Sequence, residues 1–364
     1  MRVHTDHQHT SSTRSAGRRP GRGAHLLTAL CVGTLVLTAC SAPDDADLLP
    51  GGGAGATTTP AAPAAPSPSA SVAYPVRVDN CGEPVELAAR PERIVTIKSS
   101  ATEMVLALGA GDRIVGTGFP DGPVPPELAA QAADLPVLSD KVPSAEVVLQ
   151  AEPDLVMAGW ESNLTAEGAG DRPTLAGLGV ATYVSPAACK DPQHRPARLS
   201  FEDVFAEIRE AGRLLGAVQE AADLVASQED LLETVEPDDR GLTALWYSSG
   251  TDIPYVGAGI GAPQMIMDAL GLTNIAGEVP DTWASFSWEE TAQHDPDLIV
   301  LVDSTWNSAE KKKQLLRESP ATANLTAVQA ERYLVVPFAA TEAGVRNVAA
   351  TVDLAQQLGR LDLG

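Results

Sequence analysis

The stretch Ser-Ala-Glu-Val-Val-Leu-Gln-Ala-Glu-Pro-Asp-Leu-Val at residues 144–156 has a counterpart in Ser-Trp-Glu-Glu-Thr-Ala-Gln-His-Asp-Pro-Asp-Leu-Ile at residues 287–299. Both read Ser-x-Glu, then six residues, then Pro-Asp-Leu. In each, the serine is suited to cap a helix, the glutamate falls in its first turn, and Pro-Asp ends it before an apolar strand. The strands, Leu155 to Ala158 and Leu298 to Val302, lack polar alternation, which is typical of a parallel sheet covered on both faces.

Three further pairs of segments repeat in the same order along the chain: a strand, a helix closed by glycine and a late strand. They are 93–97 and 242–246, 104–109 and 266–271, and 181–185 and 332–336. Strands that alternate with helices are joined by right-handed crossovers in parallel sheets. The sequence therefore predicts an α/β fold of two similar parallel-sheet lobes.

The segment between the repeats, residues 201–236, predicts the connection between the lobes. It contains no proline, and its apolar side chains recur at helical spacing. We expect two helices here, the second a long one from about Val218 to Val235. A long helix joining two α/β lobes, assigned to residues 74–200 and 237–364, would act as a stiff spine and leave a ligand cleft between them.

The first part of the chain is typical of a targeting segment. Residues 1–40 form a basic and then apolar signal peptide that ends Leu37-Thr-Ala-Cys40. This ending resembles the bacterial lipobox, in which Cys40 is lipidated; an ordinary signal peptide with an incidental cysteine is the alternative. Residues 41–73, rich in Ala, Pro, Ser and Thr, predict a disordered tether. We therefore expect a domain outside the cytoplasm, anchored by lipid to the outer face of the cell membrane.

Charge and residue counts exclude several kinds of partner. A net charge of −23 argues against nucleic acid, which needs a basic surface, and against direct adsorption to anionic lipid heads. Besides Cys40, the mature chain keeps Cys81 and Cys189, which predict a disulfide in an oxidising compartment; two buried free thiols are the alternative. Only His194 and His294 remain, so we predict no metal site of the usual ligands.

From about Tyr74 to its end the chain resembles the helix-spined solute-binding proteins of ABC importers for iron–siderophores and cobalamin, with the Pro-Asp-Leu repeat among the shared marks. More narrowly, residues 246–251, 257–264 and 341–347 are similar to an actinobacterial subgroup named for import of a deazaflavin coenzyme precursor. The resemblance implies a monomer without enzymatic activity or cofactor. Such a protein would deliver a small organic ligand to a permease and its ATPase.

The resemblance also gives the repeated glutamates a role. In that family one glutamate on each lobe pairs with arginines of the permease, and these positions fall on Glu146 and Glu289. The alternative is that each only stabilises its helix from the first turn, by about 0.3–1 kcal/mol. Glu103 is a third candidate, but Ser100-Ala-Thr-Glu103 fits a capping box, so we assign it to helix capping.

Ligands of open α/β sheets bind where the strands end and helices begin. The candidate ligand-binding residues are those that the repeats place at these ends: Lys98, Ser99, Ser100, Lys141, Trp160, Glu161, Asn163, Tyr247, Ser248, Ser249, Trp283, Trp306, Asn307 and Arg346. The serines could instead be helix caps, the tryptophans ordinary packing residues, and Lys141 a solvated loop residue. Lys98 ends an apolar strand, an unusual place for a solvated lysine, so we expect it to contact the ligand.

Tryptophan walls together with Lys98 and Arg346 suit a flat or chelate-type organic anion, such as a deazaflavin phosphodiester or a ferric siderophore. Cobalamin fits less well, because it needs little anion recognition. A secreted enzyme is one alternative, but the sequence has no Gly-x-Ser-x-Gly elbow, and His194 and His294 lie in a loop and at a helix end. A surface receptor without a transporter is the other.

Overall fold

The computed structural model describes residues 72–363. The predicted signal peptide, Cys40 and the tether up to residue 71 lie outside the described residues. Within residues 72–363 no helix has the length and apolar composition needed to cross a membrane.

The N-terminal lobe is built on a five-stranded parallel sheet in the order β5-β4-β3-β6-β7, preceded by an antiparallel hairpin, β1-β2. The two central strands, β3 and β6, are buried along their whole length, as their unbroken apolar runs predict. The strands are β1 Val76–Asn80, β2 Glu83–Leu87, β3 Ile94–Ile97, β4 Ile114–Gly118, β5 Val137–Ser139, β6 Leu155–Ala158 and β7 Ala181–Val184. The helices are α1 Ser99–Ala107, α2 Ala129–Ala132, α3 Ala145–Gln150 and α4 Arg172–Gly177.

Two helices of equal length connect the lobes, α5 Phe201–Leu215 and α6 Val218–Leu232. Helix α6 begins at Val218 as predicted and ends at Leu232, a little before the expected Val235, while Gly216, in the left-handed conformation at φ 67°, ends α5. The helices pack closely at Gly212, where a Cβ atom would lie 2.4 Å from the Cβ of Ala221. Helix α5 packs against α1 and α6 packs against α11 (Asn347–Leu358), so the pair contacts both lobes.

The C-terminal lobe has the same parallel centre and a different edge. Its sheet runs β11-β9-β8-β12-β13, and β10 also pairs with β8. Strands β8, β10, β11, β12 and β13 run in one direction, whereas β9 is antiparallel to its neighbours β8 and β11, because the short turn between β8 and β9 leaves no room for a crossover. The strands are β8 Thr243–Ser249, β9 Tyr255–Gly257, β10 Thr273–Asn274, β11 Trp283–Ser285, β12 Leu298–Asp303 and β13 Tyr333–Pro337. The remaining helices are α7 Ala262–Ala269, α8 Trp288–His294, α9 Ala309–Glu318 and α10 Thr326–Gln329.

The repeated sequence forms the same unit in both lobes. Ser144 caps α3 by accepting from the Val147 N–H, and Ser287 caps α8 by accepting from the Glu290 N–H. The aspartate of each Pro-Asp-Leu then fixes the neighbouring strand. The Asp154 carboxylate accepts hydrogen bonds from the backbone N–H groups of Glu92 and Arg93 just before β3, and the Asp297 carboxylate accepts them from the N–H and hydroxyl of Thr243 at the start of β8, at donor–acceptor distances of 2.7–3.0 Å.

The predicted Cys81–Cys189 disulfide is confirmed. It joins the turn of the β1-β2 hairpin to the loop that follows β7. That loop runs along the edge of the cleft before α5 begins, so the bond fixes one wall of the space between the lobes. The two-lobed α/β architecture predicted from the repeat is therefore confirmed, with an antiparallel edge added to the second lobe and the two connecting helices present as predicted.

Candidate functional site

A cavity of about 460 Å³ lies between the lobes and is lined by residues from both. From the N-terminal lobe come Gly159, Trp160 and Ser185, which follow the carboxyl ends of β6 and β7. From the C-terminal lobe come Ser248 and Ser249 at the end of β8, with residues of the loops around β11, β12 and β13. The volume is within the range of about 300–1,000 Å³ that is typical of small-molecule sites.

Five of the predicted ligand-binding residues line this cavity: Trp160, Ser248, Ser249, Trp283 and Trp306. Trp160 meets the ring of Phe119 edge to face, with centroids 6.0 Å apart. On the opposite lobe, Trp283 stacks on Tyr255, with centroids 6.1 Å apart and planes at 16°. Trp306 meets Phe338 edge to face and keeps 56% of its surface exposed. The cavity therefore has aromatic surfaces on both sides, as the repeat predicts.

Lys98 does not line the cavity, so the expectation that it contacts the ligand needs correction. Its side chain is 1% exposed, and its ammonium forms an ion pair with Asp121. The Lys98 Nζ atom also lies 3.7 Å from the Trp160 ring centroid and 4.3 Å from that of Phe119. Its charge is already neutralised by Asp121, and its ammonium group packs against the rings of Trp160 and Phe119 through cation–π contacts.

The neighbouring serines also have structural partners. The Ser99 hydroxyl accepts from the Asp121 N–H at 2.8 Å, and the Asp121 carboxylate accepts from the Ser99 N–H at 3.2 Å. Ser100 does not line the main cavity; it lies beside a small side cavity near Gly159. These contacts hold the start of α1 in place.

Arg346 does not line the cavity either. Its charge is neutralised by Glu103. The guanidinium forms a two-pronged ion pair with Glu103, which is fully buried, and donates to the Pro123 carbonyl at 2.8 Å. The capping-box assignment of Glu103 is wrong for the same reason: α1 begins after Lys98 without a side-chain cap, and the Glu103 carboxylate points to the other lobe. The pair is a direct link between the lobes.

The remaining candidates lie outside the cavity lining. The Glu161 carboxylate accepts from the Lys190 N–H at 2.5 Å, and the Tyr247 hydroxyl donates to the Gly250 carbonyl at 2.6 Å. Asn163 is buried, Asn307 turns back onto Ser304, and Lys141 is exposed in its loop. None of these five candidates lines the cavity, so their contact with a ligand stays a prediction from the sequence.

The cations at the cavity are ones that the sequence reasoning missed. Lys190 and Arg195 line it from the loop that the disulfide holds. Within residues 72–363, neither the Lys190 ammonium nor the Arg195 guanidinium has a hydrogen-bond or ion-pair partner. Their position in the loop that begins at Cys189 was the available signal, because a disulfide next to a cleft fixes the residues that follow it.

Glu342 is the other missed residue of the site. Its carboxylate accepts from the Trp160 indole N–H at 2.9 Å, so this hydrogen bond crosses between the lobes inside the cavity. Burial raises the pKa of Glu342, while the Trp160 hydrogen bond and the charge of Lys98 act in the opposite direction. Among the described residues, no group of three or more His, Cys, Asp or Glu side chains is arranged to hold a metal ion.

The repeated glutamates are placed alike on the two lobes. Glu146 and Glu289 are exposed, and each lies in the first turn of its helix, α3 or α8, two residues after the capping serine. Neither carboxylate has a side-chain partner among the described residues. Both are therefore available to an external partner.

A family model described as periplasmic binding protein matches residues 94–340, which is more than half of the chain. The chain belongs to this family. A curated relative of this periplasmic binding protein, the uncharacterized ABC transporter substrate-binding lipoprotein YvrC of Bacillus subtilis, is 26% identical over 78% of the chain and 86% of the relative. The predicted class, the substrate-binding proteins of ABC transporters, is confirmed.

Two other relatives carry the names of ligands. A cobalamin-binding protein of Halobacterium salinarum is 27% identical to this periplasmic binding protein and covers 74% of each chain. A solved structure from Saccharomonospora viridis, described as an ABC-type Fe3+-hydroxamate transport system, is 25% identical, with a TM-score of 0.67 over 79% of this chain and all of that one. The names of these relatives describe ligand binding or transport.

Proposed function

We propose that this protein captures a small, flat or chelate-type organic anion outside the cytoplasm and delivers it to the permease of an ABC importer. The observation that carries the proposal is the cavity between the lobes, with tryptophans on both sides and two cations without partners, Lys190 and Arg195. Aromatic faces bind planar π systems, and unpaired cations bind carboxylate, phosphate or hydroxamate oxygens. Lys190 and Arg195 take the anion-binding role that was predicted for Lys98 and Arg346.

Two ligand classes suit these walls: a deazaflavin coenzyme precursor with a phosphodiester, and a ferric siderophore. The similarity to the solved structure from Saccharomonospora viridis, which is described as an Fe3+-hydroxamate transport system, supports the ferric siderophore. Cobalamin suits the walls less well, because it offers a single phosphodiester anion to two free cations. The cavity of about 460 Å³ also favours a ligand of modest size.

A titration of the mature domain, followed by tryptophan fluorescence, tests this proposal. Ferric hydroxamates, deazaflavin phosphodiesters and cobalamin are compared. We expect saturable binding of one anionic class, weakened about tenfold or more by the double variant Lys190→Ala/Arg195→Ala, because each lost charge contact is worth about 1 kcal/mol or more. The matched control, Lys311→Ala/Arg360→Ala, removes one exposed lysine and one exposed arginine that do not line the cavity and should bind like wild type. Equal weakening by both variants would contradict recognition at the cavity.

Delivery depends, in the same proposal, on a lipid anchor at Cys40 and on Glu146 and Glu289 as contacts for permease arginines. The two carboxylates are exposed and occupy equivalent places on the lobes, so both could engage a permease together. Attraction between these surface charges and arginines would set the docking position more than the affinity for ligand.

An uptake assay in whole cells separates docking from binding. The variant Glu146→Ala/Glu289→Ala should lower uptake about tenfold while the dissociation constant of the soluble domain stays the same. The matched control is Glu220→Ala/Glu310→Ala, which removes first-turn glutamates of α6 and α9. Wild-type uptake by the docking variant would rule out these residues and would favour a surface receptor that does not depend on this transporter contact.

A further inference from the structure

A small side cavity of about 10 Å³ adjoins the main one. Gly159 and Ser185 line both cavities, so the side cavity lies directly behind this part of the main wall. It is placed at the carboxyl ends of β6 and β7, where α1 and α5 pack beneath the sheet. Its volume is close to that of one water molecule or one ammonium group.

Glu207 of α5 lies in the lining of this side cavity and has no cationic partner. The residue is 8% exposed, and its carboxylate accepts a single side-chain hydrogen bond, from the Ser185 hydroxyl at 3.0 Å. No lysine or arginine within residues 72–363 forms an ion pair with it. A buried carboxylate with one neutral partner is costly, because the charge has lost its hydration.

The surrounding groups add no positive charge either. Tyr183 of β7 lines the same cavity, but its hydroxyl donates to Glu210 at 3.0 Å. Glu210, one turn further along α5, pairs with Arg213 at 3.2 Å. From α1, Ser100 faces the cavity, and Glu103 of the same helix is paired with Arg346. Burial, with a further contribution from Glu210, raises the pKa of Glu207 to about 8.

We propose that Ser185, Glu207 and the side cavity form a subsite for a small cationic nitrogen of the ligand, such as a primary ammonium group. This inference deepens the proposed function, on which it rests for the identity of the main cavity. An ammonium group fits the volume, supplies the missing positive charge and donates hydrogen bonds to the carboxylate. The ligand would then carry anionic oxygens toward Lys190 and Arg195 and one cationic end toward Glu207.

Binding of such a group is linked to a proton. In the empty protein near pH 7 the Glu207 carboxyl holds its proton, because its pKa is about 8. When the ammonium group enters, the carboxyl releases that proton to solvent and becomes the carboxylate that accepts the ammonium N–H. One proton is released for each ammonium group bound, and binding is stronger at pH 8 than at pH 6.

Thermal unfolding of the mature domain in methylammonium chloride tests the subsite without the natural ligand. Tetramethylammonium chloride at the same concentration is the reference, because its cation is too large for the side cavity. At pH 8 methylammonium should raise the unfolding midpoint by about 2 °C above the reference, with a smaller rise at pH 6. The variant Glu207→Gln should lose this difference, and Glu210→Gln, which removes a carboxylate one turn away, should keep it.

Equal midpoints in the two salts for wild type, or an undiminished difference in Glu207→Gln, would overturn the subsite. Carbon-13 NMR of the wild-type protein labelled at glutamate carboxyls gives a second readout that needs no variant. Methylammonium should lower the midpoint of the resonance that titrates near pH 8, and an unmoved midpoint would also overturn it. The proposed function is tested separately by ligand titration and uptake, so either idea can fail alone.

Discussion

The two lobes have the same arrangement of central parallel strands, but they differ in the residue at the end of the strands β3 and β8. After β3, Lys98 is buried and paired with Asp121; at the corresponding position of β8, the neutral Tyr247 donates to the Gly250 carbonyl. Both side chains are 1% exposed. The repeated unit therefore sets the geometry of the cleft, and the residues at its edges set the charge and shape of each wall.

The disulfide belongs to the N-terminal lobe alone and should give the largest effect. It closes a loop with a sequence separation of 108. Replacing both Cys81 and Cys189 by serine should lower the free energy of unfolding by about 4 kcal/mol, because a long loop is freed in the unfolded chain. Denaturant unfolding measures the loss, and wild type treated with a thiol reductant should match the variant. A loss below about 1 kcal/mol would show that the bond does not stabilise this lobe.

The second largest loss of stability is expected when the buried ion pair of Lys98 and Asp121, at the end of β3, is broken. In Asp121→Asn the Lys98 ammonium stays buried without its counter-charge, which should cost about 3 kcal/mol in denaturant unfolding. Adding Lys98→Met to the same chain removes the stranded charge and should restore most of the loss. A double variant no more stable than Asp121→Asn would mean that the charge of Lys98 is not the cause.

Two buried ionisable groups, Glu207 on α5 and Lys312 in the C-terminal lobe, should change the stability of the protein in different pH ranges. The pKa of Glu207 is raised from 4.5 to about 8, so between these two pH values the folded protein keeps a proton that the unfolded chain releases. The free energy of unfolding should therefore fall as the pH rises from 4.5 to about 8. The fall from pH 6 to 7.5 should be about 2 kcal/mol, and Glu207→Gln should lack it. In the C-terminal lobe burial lowers the pKa of Lys312 from 10.5 to about 8, so its contribution changes only at higher pH. Identical profiles for Glu207→Gln and wild type would contradict the assignment.

The repeated aspartates should behave alike. Asp154→Ala and Asp297→Ala each remove two hydrogen bonds to a charged acceptor, and each should cost about 2 kcal/mol by denaturant unfolding. Asp230→Ala on the exposed face of α6 is the control and should change little. A large difference between the two aspartate variants would mean that the repeat is not energetically equivalent.

The smallest change is expected at the neutral counterpart of Lys98. Tyr247→Phe removes the hydrogen bond to the Gly250 carbonyl and should cost about 1 kcal/mol, because a neutral hydrogen bond is worth less than a buried ion pair. Thermal and denaturant unfolding check the value. A loss as large as that of Asp121→Asn would remove the contrast between the two lobes.

The fold could be predicted because its signals are local. Strand β6 was predicted at its observed bounds and β12 to within one residue, since each is an apolar run bounded by Pro-Asp and a polar loop. The antiparallel edge of β9 and β11 was missed, because three-residue strands carry too little periodicity to recognise.

The site was harder, because its charges are neutralised by residues far along the chain. Asp121 lies 23 positions after Lys98, and Glu103 lies 243 positions before Arg346. No spacing rule could show that these cations are already paired. Trp160 and Trp306 do line the cavity, because the repeat places them after equivalent strands, and their contact with a ligand stays a prediction.

Hydrogen–deuterium exchange with and without the ligand identified by titration tests the central claim, that the ligand is held between the lobes. Peptides containing Gly159 and Trp160 of one lobe and Thr341 and Glu342 of the other should become protected together at saturation. Helix α9, which contributes no residue to the cavity lining, should exchange as before. Protection confined to one lobe, or centred away from this cavity, would contradict the account.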